Sequence, residues 1–194
     1  MKQCHARSLE VLRSLLGPMT HRSLFRALDV AGGDGRLSKS FLVEQYGKVD
    51  LFDQCPTAVQ RAREALLRHS RFGYASLSTM QDFDWKFEYS GIFMIWVVGY
   101  LADSVLIAFL RKAKTKLIPG RFRTTRLEQP ESFIVVLDNI AEEDNDGTVV
   151  KGQRLRTEAK LESLFEQAGL LIHDKTGREG MPGDRCDVIA WALY

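Results

Sequence analysis

Short apolar or β-branched runs alternate along the chain with stretches in which apolar residues recur every three to four positions. The runs at 25–30, 48–53, 72–76, 91–98, 132–138, 169–174 and 186–193 each predict a strand. Helical spacing predicts helices over 37–46, 56–70, 102–117 and 153–168, preceded by an amphipathic stretch through 9–16. Pro56 suits a first helical turn, and Gly169 suits a stop just after Ala168. Strands alternating with helices imply an α/β fold with a mainly parallel sheet covered on both faces. The last two strands break this rhythm. The polar, Gly- and Pro-containing link 175–185 is too short for a helical crossover, so one of them is expected to run antiparallel. In open α/β sheets a ligand sits beyond the carboxyl ends of the strands, which points to the residues following Val30, Phe52, Ser76, Val98 and Leu137.

The first of these places reads Asp29-Val-Ala-Gly-Gly-Asp-Gly-Arg36. Gly32, Gly33 and Gly35 permit positive φ and close approach of a ligand to the backbone, and a helix N-terminus follows. Asp53 ends the second strand, where a carboxylate can accept the hydroxyls of a ribose. A triphosphate loop requires Gly-Lys-Ser/Thr, but the turn reads Gly35-Arg36-Leu37. A dinucleotide fingerprint starting at Gly33 requires glycine where Ser38 stands. S-adenosylmethionine carries no phosphate and keeps the ribose, and it fits these residues best. A third contact region, Met80-Gln81-Asp82-Phe83, follows the third strand and can meet an adenine through one polar and one apolar side chain.

Composition narrows the class without altering this outline. The 194 residues are 45% hydrophobic with 11 Phe and 3 Trp, enough material for a core and unlike a disordered chain. With 27 Lys and Arg against 25 Asp and Glu, the formal charge is only +2, so nucleic-acid contact would need a local patch. One such patch is the stripe from Arg111 to Arg126, which holds Arg111, Lys112, Lys114, Lys116, Arg121, Arg123 and Arg126 and no acid. Opposite in sign, Glu142, Glu143, Asp144 and Asp146 follow Asn139 and can attract a basic peptide. Cys4, Cys55 and Cys186 are an odd number at wide spacing, which indicates neither a disulfide framework nor a metal site. The apolar run 91–101 is too short to span a bilayer, and Glu10 and Arg13 interrupt any secretory core. A soluble monomer of the cytoplasm or nucleus is the expectation, with an organelle less favoured.

The combination of Ala27-Leu28-Asp29, Gly33-x-Gly35-Arg36, Met80-Gln81-Asp82-Phe83, Trp96-Val-x-Gly-x-Leu101, Phe109-Leu-Arg-Lys, Asp138-Asn139 and Ala168-Gly169-Leu170 resembles the eukaryotic protein α-N-terminal methyltransferases. Trp96-Val97-Val98-Gly99 with Asp138-Asn139 is the specific part of the match. The resemblance implies a Rossmann-like, seven-strand methyltransferase sheet, mostly parallel with an antiparallel C-terminal strand and helices on both faces. It also implies methyl transfer from S-adenosylmethionine, with S-adenosylhomocysteine as product, to the α-amino group of proteins beginning X-Pro-Lys. Carried over by position, the cofactor would meet Ala31, Gly33, Gly35, Arg36, Asp53, Gln54, Cys55, Met80, Gln81 and Ile95. Trp96, Asp138, Asn139 and Glu142 would meet the peptide, with Asn139, Trp96 and Tyr100 at the chemistry.

This chain departs from the family at several of these positions. Ala31 replaces the first turn glycine, Ile95 a cofactor-contacting Gln, and Tyr100 a His implicated in amine deprotonation. Thr148 and Lys151 replace two substrate-binding carboxylates. Residues 1–24 read as an N-terminal helical segment, a shortened lid, ahead of a methyltransferase domain at 25–194. Two other readings remain open at the sequence level: a non-catalytic scaffold or assembly subunit of a ribonucleoprotein, and a methyltransferase acting on RNA or a small molecule.

Overall fold

A computed structural model of the chain describes residues 2–16, 25–119, 132–143, 146–150, 152–178 and 187–194. In chain order the elements are α1 (Lys2–Leu16), β1 (Arg26–Val30), a π-helical turn (Ser38–Leu42) running into the short α2 (Val43–Gln45), β2 (Lys48–Asp53), α3 (Pro56–Leu66), β3 (Phe72–Leu77) and β4 (Gly91–Ile95). A 3-10 turn (Val98–Tyr100), α4 (Asp103–Lys114), β5 (Phe133–Ile140), β6 (Val149–Val150), β7 (Gln153–Arg154), α5 (Glu158–Gln167), β8 (Ile172–Arg178) and β9 (Asp187–Leu193) follow. Seven strands form one mixed sheet in the order β3-β2-β1-β4-β5-β9-β8, while β6 and β7 make a separate hairpin. The antiparallel strand expected near the C-terminus is β9, which runs against both β5 and β8.

Two compact units divide the chain. One comprises residues 18–94 and 116–133, the other 1–17, 95–115 and 134–194. In the first, β1 pairs in parallel with β2 and β4, and β2 with β3. Ala27, Leu28, Val30, Val49, Leu51 and Phe52 are all buried, the run expected of strands covered on both faces. One stripe of α3, Val59, Ala62 and Leu66, is buried at helical spacing. Arg26, the first residue of β1, meets the fully buried Asp50 at 2.6 Å. The Tyr89 hydroxyl donates to the same carboxylate at 3.2 Å. Burial pushes the Asp50 carboxyl up despite these partners. This cluster sits at the start of β1, away from the strand ends that carry the candidate site, and acts as a buried staple.

In the second unit α1 packs against β8 and β9, and α4 against α5. Val11, Leu12, Leu15 and Leu16 are the buried face of α1. Thr157 caps α5 by accepting the Lys160 N–H at 3.2 Å. At the other end of α5, Gly169 turns with φ 80, and Arg111 and Lys114 donate to the Gln167 and Gly169 carbonyls. Two cations of the predicted basic stripe are therefore helix-terminating donors; Arg121, Arg123 and Arg126 lie outside the described residues.

Several predicted boundaries are corrected. The strand over 91–98 ends at Ile95, because Trp96 leaves the extended region with φ 60. The helix over 37–46 contains the π-helical turn, where the Ser38 side chain reaches Asp29. The helices over 56–70 and 102–117 stop at Leu66 and Lys114. The helix over 153–168 begins only at Glu158, since Gln153 and Arg154 pair with Val150 and Val149. The strand over 169–174 shifts to Ile172–Arg178, because Gly169 and Leu170 close α5 through bonds to the Glu166 and Phe165 carbonyls. Among the described residues no helix is long and apolar enough to cross a membrane.

Candidate functional site

In the first unit the site grows from the turn after β1. Ala31, Gly33 and Gly35 have φ of 51, 56 and 75. The Gly32 N–H donates to the Phe52 carbonyl at 3.0 Å, which ties the turn to β2, and the Lys39 N–H reaches the Gly35 carbonyl at 2.8 Å. A side chain at Gly32 would fall 2.8 Å from the Asp29 carboxyl carbon, whereas one at Gly33 would meet nothing within 4 Å. The turn is thus packed on its inner side and open at Gly33. Asp29 is buried and accepts the Ser38 hydroxyl at 2.7 Å; burial, partly offset by that bond, pushes its pKa up to about 7.

Asp53, at the end of β2, is half-buried. Its Oδ2 accepts the Gly33 N–H at 3.0 Å and its Oδ1 the Cys55 N–H at 2.8 Å. Each carboxylate oxygen retains acceptor capacity, so this group braces the turn and can still accept ribose hydroxyls. Gln54 and Cys55 are exposed beside it. The Cys55 thiol is held below its usual range, first by the Thr57 hydroxyl at 3.2 Å and then by the Ala58 N–H at the start of α3. After β3, Met80 is half-buried and Gln81 exposed, and Phe83 is buried with its ring stacked on Phe52 at 4.1 Å. Arg36 is exposed and pairs with Asp34 at 3.0 Å. An open glycine backbone, a braced carboxylate and an adjacent loop with one apolar and one polar side chain fit a nucleoside with an amino-acid tail, and therefore S-adenosylmethionine.

In the second unit Trp96 is half-buried, its left-handed backbone held by a bond from its N–H to the Leu137 carbonyl at 2.8 Å. Its indole N–H donates to Ser8 Oγ of α1 at 2.9 Å. The Gly99 N–H donates to Asp138 Oδ2 at 3.2 Å, and the Asn139 N–H to Asp138 Oδ1 at 2.8 Å. Burial pushes Asp138 up to about 6, with those backbone donors pulling the other way. Asp138, which the resemblance assigns to the peptide, is buried and joins the 3-10 turn to β5. Asn139, the next residue, is half-buried. Ile95 is half-buried at the end of β4, and Tyr100 is 61% exposed.

Glu142, Glu143 and Thr148 are exposed, and Asp146 accepts the Thr157 N–H at 2.8 Å. Asp144 and Lys151 lie outside the described residues. Three contributors escaped the sequence reading. Ser8 is a polar residue on the apolar stripe of α1, and Ser38 stands where a dinucleotide fingerprint requires glycine; both leave a legible trace. Arg156 leaves none. Among the described residues no three His, Cys, Asp or Glu side chains cluster as a metal site.

Comparison with known proteins gives the family and the fold. The profile of a family described as AdoMet-dependent proline di-methyltransferases matches residues 6–194. The zebrafish N-terminal Xaa-Pro-Lys N-methyltransferase 1 is 32% identical over 169 residues, covering 86% of this chain and 71% of the relative. The alpha N-terminal protein methyltransferase 1 of Oryza sativa subsp. indica is 29% identical over 182 residues, covering 86% of this chain and 53% of the relative, so the chain spans about half that protein's length. Among solved structures, a SAM-dependent methyltransferase of Leishmania major superposes with a TM-score of 0.81 at 21% identity, over all of this chain and 74% of the other. The N-methyltransferase NodS of Bradyrhizobium japonicum, in complex with S-adenosyl-L-homocysteine, gives 0.70 at 15% identity over 99% and 85%.

Proposed function

The chain belongs to the AdoMet-dependent proline di-methyltransferase family, and from that premise we propose that it methylates the α-amino group of proteins beginning Xaa-Pro-Lys. The observation that carries the reading is the hydrogen-bonded link from Trp96-Val-Val-Gly99 to Leu137-Asp138-Asn139, which fixes an aromatic wall and a carboxamide within one unit. When bound, S-adenosylmethionine supplies an electrophilic sulfonium methyl. The chain's task is mainly to position the amine in line and to keep water out. The open backbone at Gly33 would receive the amino-acid end of the cofactor, Asp53 the ribose, and Met80 with Gln81 the adenine. The Asn139 carboxamide offers both a donor and an acceptor to a peptide backbone. Trp96 supplies a flat apolar wall whose rotation is limited by its bond to Ser8.

The attacking amine must be neutral. An α-amino group titrates near 7.7–8.0, so much of it is already neutral at mildly alkaline pH and water can take the proton. This matters because the resemblance puts Tyr100 in place of a His implicated in amine deprotonation, and Thr148 and Lys151 in place of two substrate-binding carboxylates, the second of them the proton acceptor. The replacements Ile95, Tyr100 and Lys151 favour a second reading, a methyltransferase fold that binds cofactor and serves as a non-catalytic subunit. The RNA reading is weakened by Arg111 and Lys114, which are engaged on the carbonyls of Gln167, the last residue of α5, and Gly169, just beyond it.

Mass spectrometry of a peptide panel separates the readings. Turnover on Xaa-Pro-Lys peptides that disappears on N-acetylation is expected, whereas cofactor binding without turnover selects the non-catalytic subunit. Asp53→Ala should weaken S-adenosylhomocysteine binding by roughly tenfold or more, since it removes the ribose acceptor and the brace on Gly33. Unchanged affinity by calorimetry would reject the placement of the ribose.

A further inference from the structure

Residues 96–102 connect β4 to α4 and carry Trp96 and Tyr100; their internal bonds are Tyr100 N–H to the Val97 carbonyl and Leu101 N–H to the Val98 carbonyl, both 3.1 Å, so the Val98 carbonyl has one acceptor position left and the other buried groups look outside the segment. Trp96 is left-handed and Val98–Tyr100 is a single 3-10 turn. Buried peptide groups in so short an irregular stretch need partners from elsewhere. Two buried charges provide them. Arg156, only 3% exposed, donates from Nη1 to the Val98 carbonyl at 2.9 Å, from Nη2 to the Leu101 carbonyl, and from Nε to Asp103 Oδ1 at 2.9 Å. Asp138 accepts the Gly99 N–H at 3.2 Å. Asp103, in the first turn of α4, also meets Lys160 at 3.2 Å and supplies the countercharge that a buried guanidinium requires. The Arg156 carbonyl in turn accepts the Ala141 N–H at 2.9 Å, two residues beyond Asn139. One residue therefore binds both the segment bearing Trp96 and the strand end bearing Asn139.

We propose that Arg156 is a positioning residue for the methyl acceptor: it fixes residues 96–101 against the end of β5 and so sets how a peptide N-terminus is held. It does this without touching peptide or cofactor, and the inference rests on the function proposed above. The planar guanidinium serves three acceptors in different directions at once. A lysine ammonium keeps the charge and the Asp103 pair but cannot reproduce the fork. Nothing in this clamp belongs to the unit that carries Gly33 and Asp53.

The test compares the full wild-type chain with Arg156→Lys and Arg156→Met. The readouts are S-adenosylhomocysteine affinity by calorimetry, kcat and KM for a synthetic Ala-Pro-Lys peptide, and amide hydrogen exchange by mass spectrometry. For Arg156→Lys, peptide kcat/KM should fall roughly tenfold or more, mainly through KM, while cofactor affinity stays within about twofold. Exchange across residues 97–101 should quicken while that across 31–35 does not. Unchanged kcat/KM with quickened exchange overturns the proposal, as does parallel loss of cofactor affinity and turnover, which marks a merely structural arginine. If Arg156→Met does not fold, the lysine variant decides alone. A wild-type chain without turnover rejects the proposed function; the clamp is then decided by the exchange contrast together with peptide affinity, and fails if Arg156→Lys leaves either at the wild-type value.

Discussion

Ala31 holds a side chain in left-handed backbone at a turn where Gly33 and Gly35 are also left-handed. Relieving a Cβ in that region is worth about 1 kcal/mol, so Ala31→Gly should raise the urea midpoint with an unchanged slope. A lower midpoint would mean that the methyl packs usefully. Asp29 predicts a pH effect of definite sign. The fold holds its proton up to about 7, while an unfolded Asp releases it near 3.9. Its stabilisation is therefore complete below about pH 4 and is lost as pH rises through about 7, on the order of 4 kcal/mol at most. Asp138, pushed up to about 6, adds in the same direction. Asp29→Asn should decline less between pH 5 and 8 than wild type when unfolding free energies are compared, and parallel curves would show that Asp29 is ionised in the fold. At this scale legibility followed locality. Glycines needing positive φ and an acid ending a strand mark the sequence where they act, but Arg156 acts on Val98, 58 positions away, and nothing near it announces that.

Among the elements, β1 and β2 fall within a residue of their predicted limits because strands buried on both faces read as short apolar-rich runs, even with one buried acid inside each, Asp29 and Asp50. Helix ends were less legible. Periodicity continues through residues that the structure turns away, as at 67–70 after α3, and a hairpin with two-residue strands is too short to show a period. The start of α5 is set instead by Thr157, whose hydroxyl accepts the Lys160 N–H while its own N–H goes to Asp146. Thr157→Ala should cost about 1 kcal/mol by chemical denaturation, and Thr157→Ser much less. An alanine variant as stable as wild type would assign the helix start to the Asp146 bond rather than to the cap.

Across the whole molecule the formal charge of +2 averages over regions of unlike sign, and Glu142 and Glu143 are exposed just after β5. If they guide a basic peptide, the Glu142→Gln, Glu143→Gln double variant should raise peptide KM a few-fold at low salt, roughly, and the difference should vanish near 0.5 M salt as screening takes over. A difference that persists at high salt would indicate direct contact instead. The seven-strand α/β architecture was legible from alternation alone, whereas the division into units was not, because each unit draws on separated stretches of sequence. That division bears on how the chain is made. The apolar face of α1 is synthesised at residues 2–16, but β8 and β9, against which it packs, emerge only from residue 172 onward. Residues 18–94 can begin to fold on the ribosome while α1 still waits with Val11, Leu12, Leu15 and Leu16 uncovered. During that interval α1 is a natural client for chaperones, and pausing translation before residue 172 should lengthen its exposure to them.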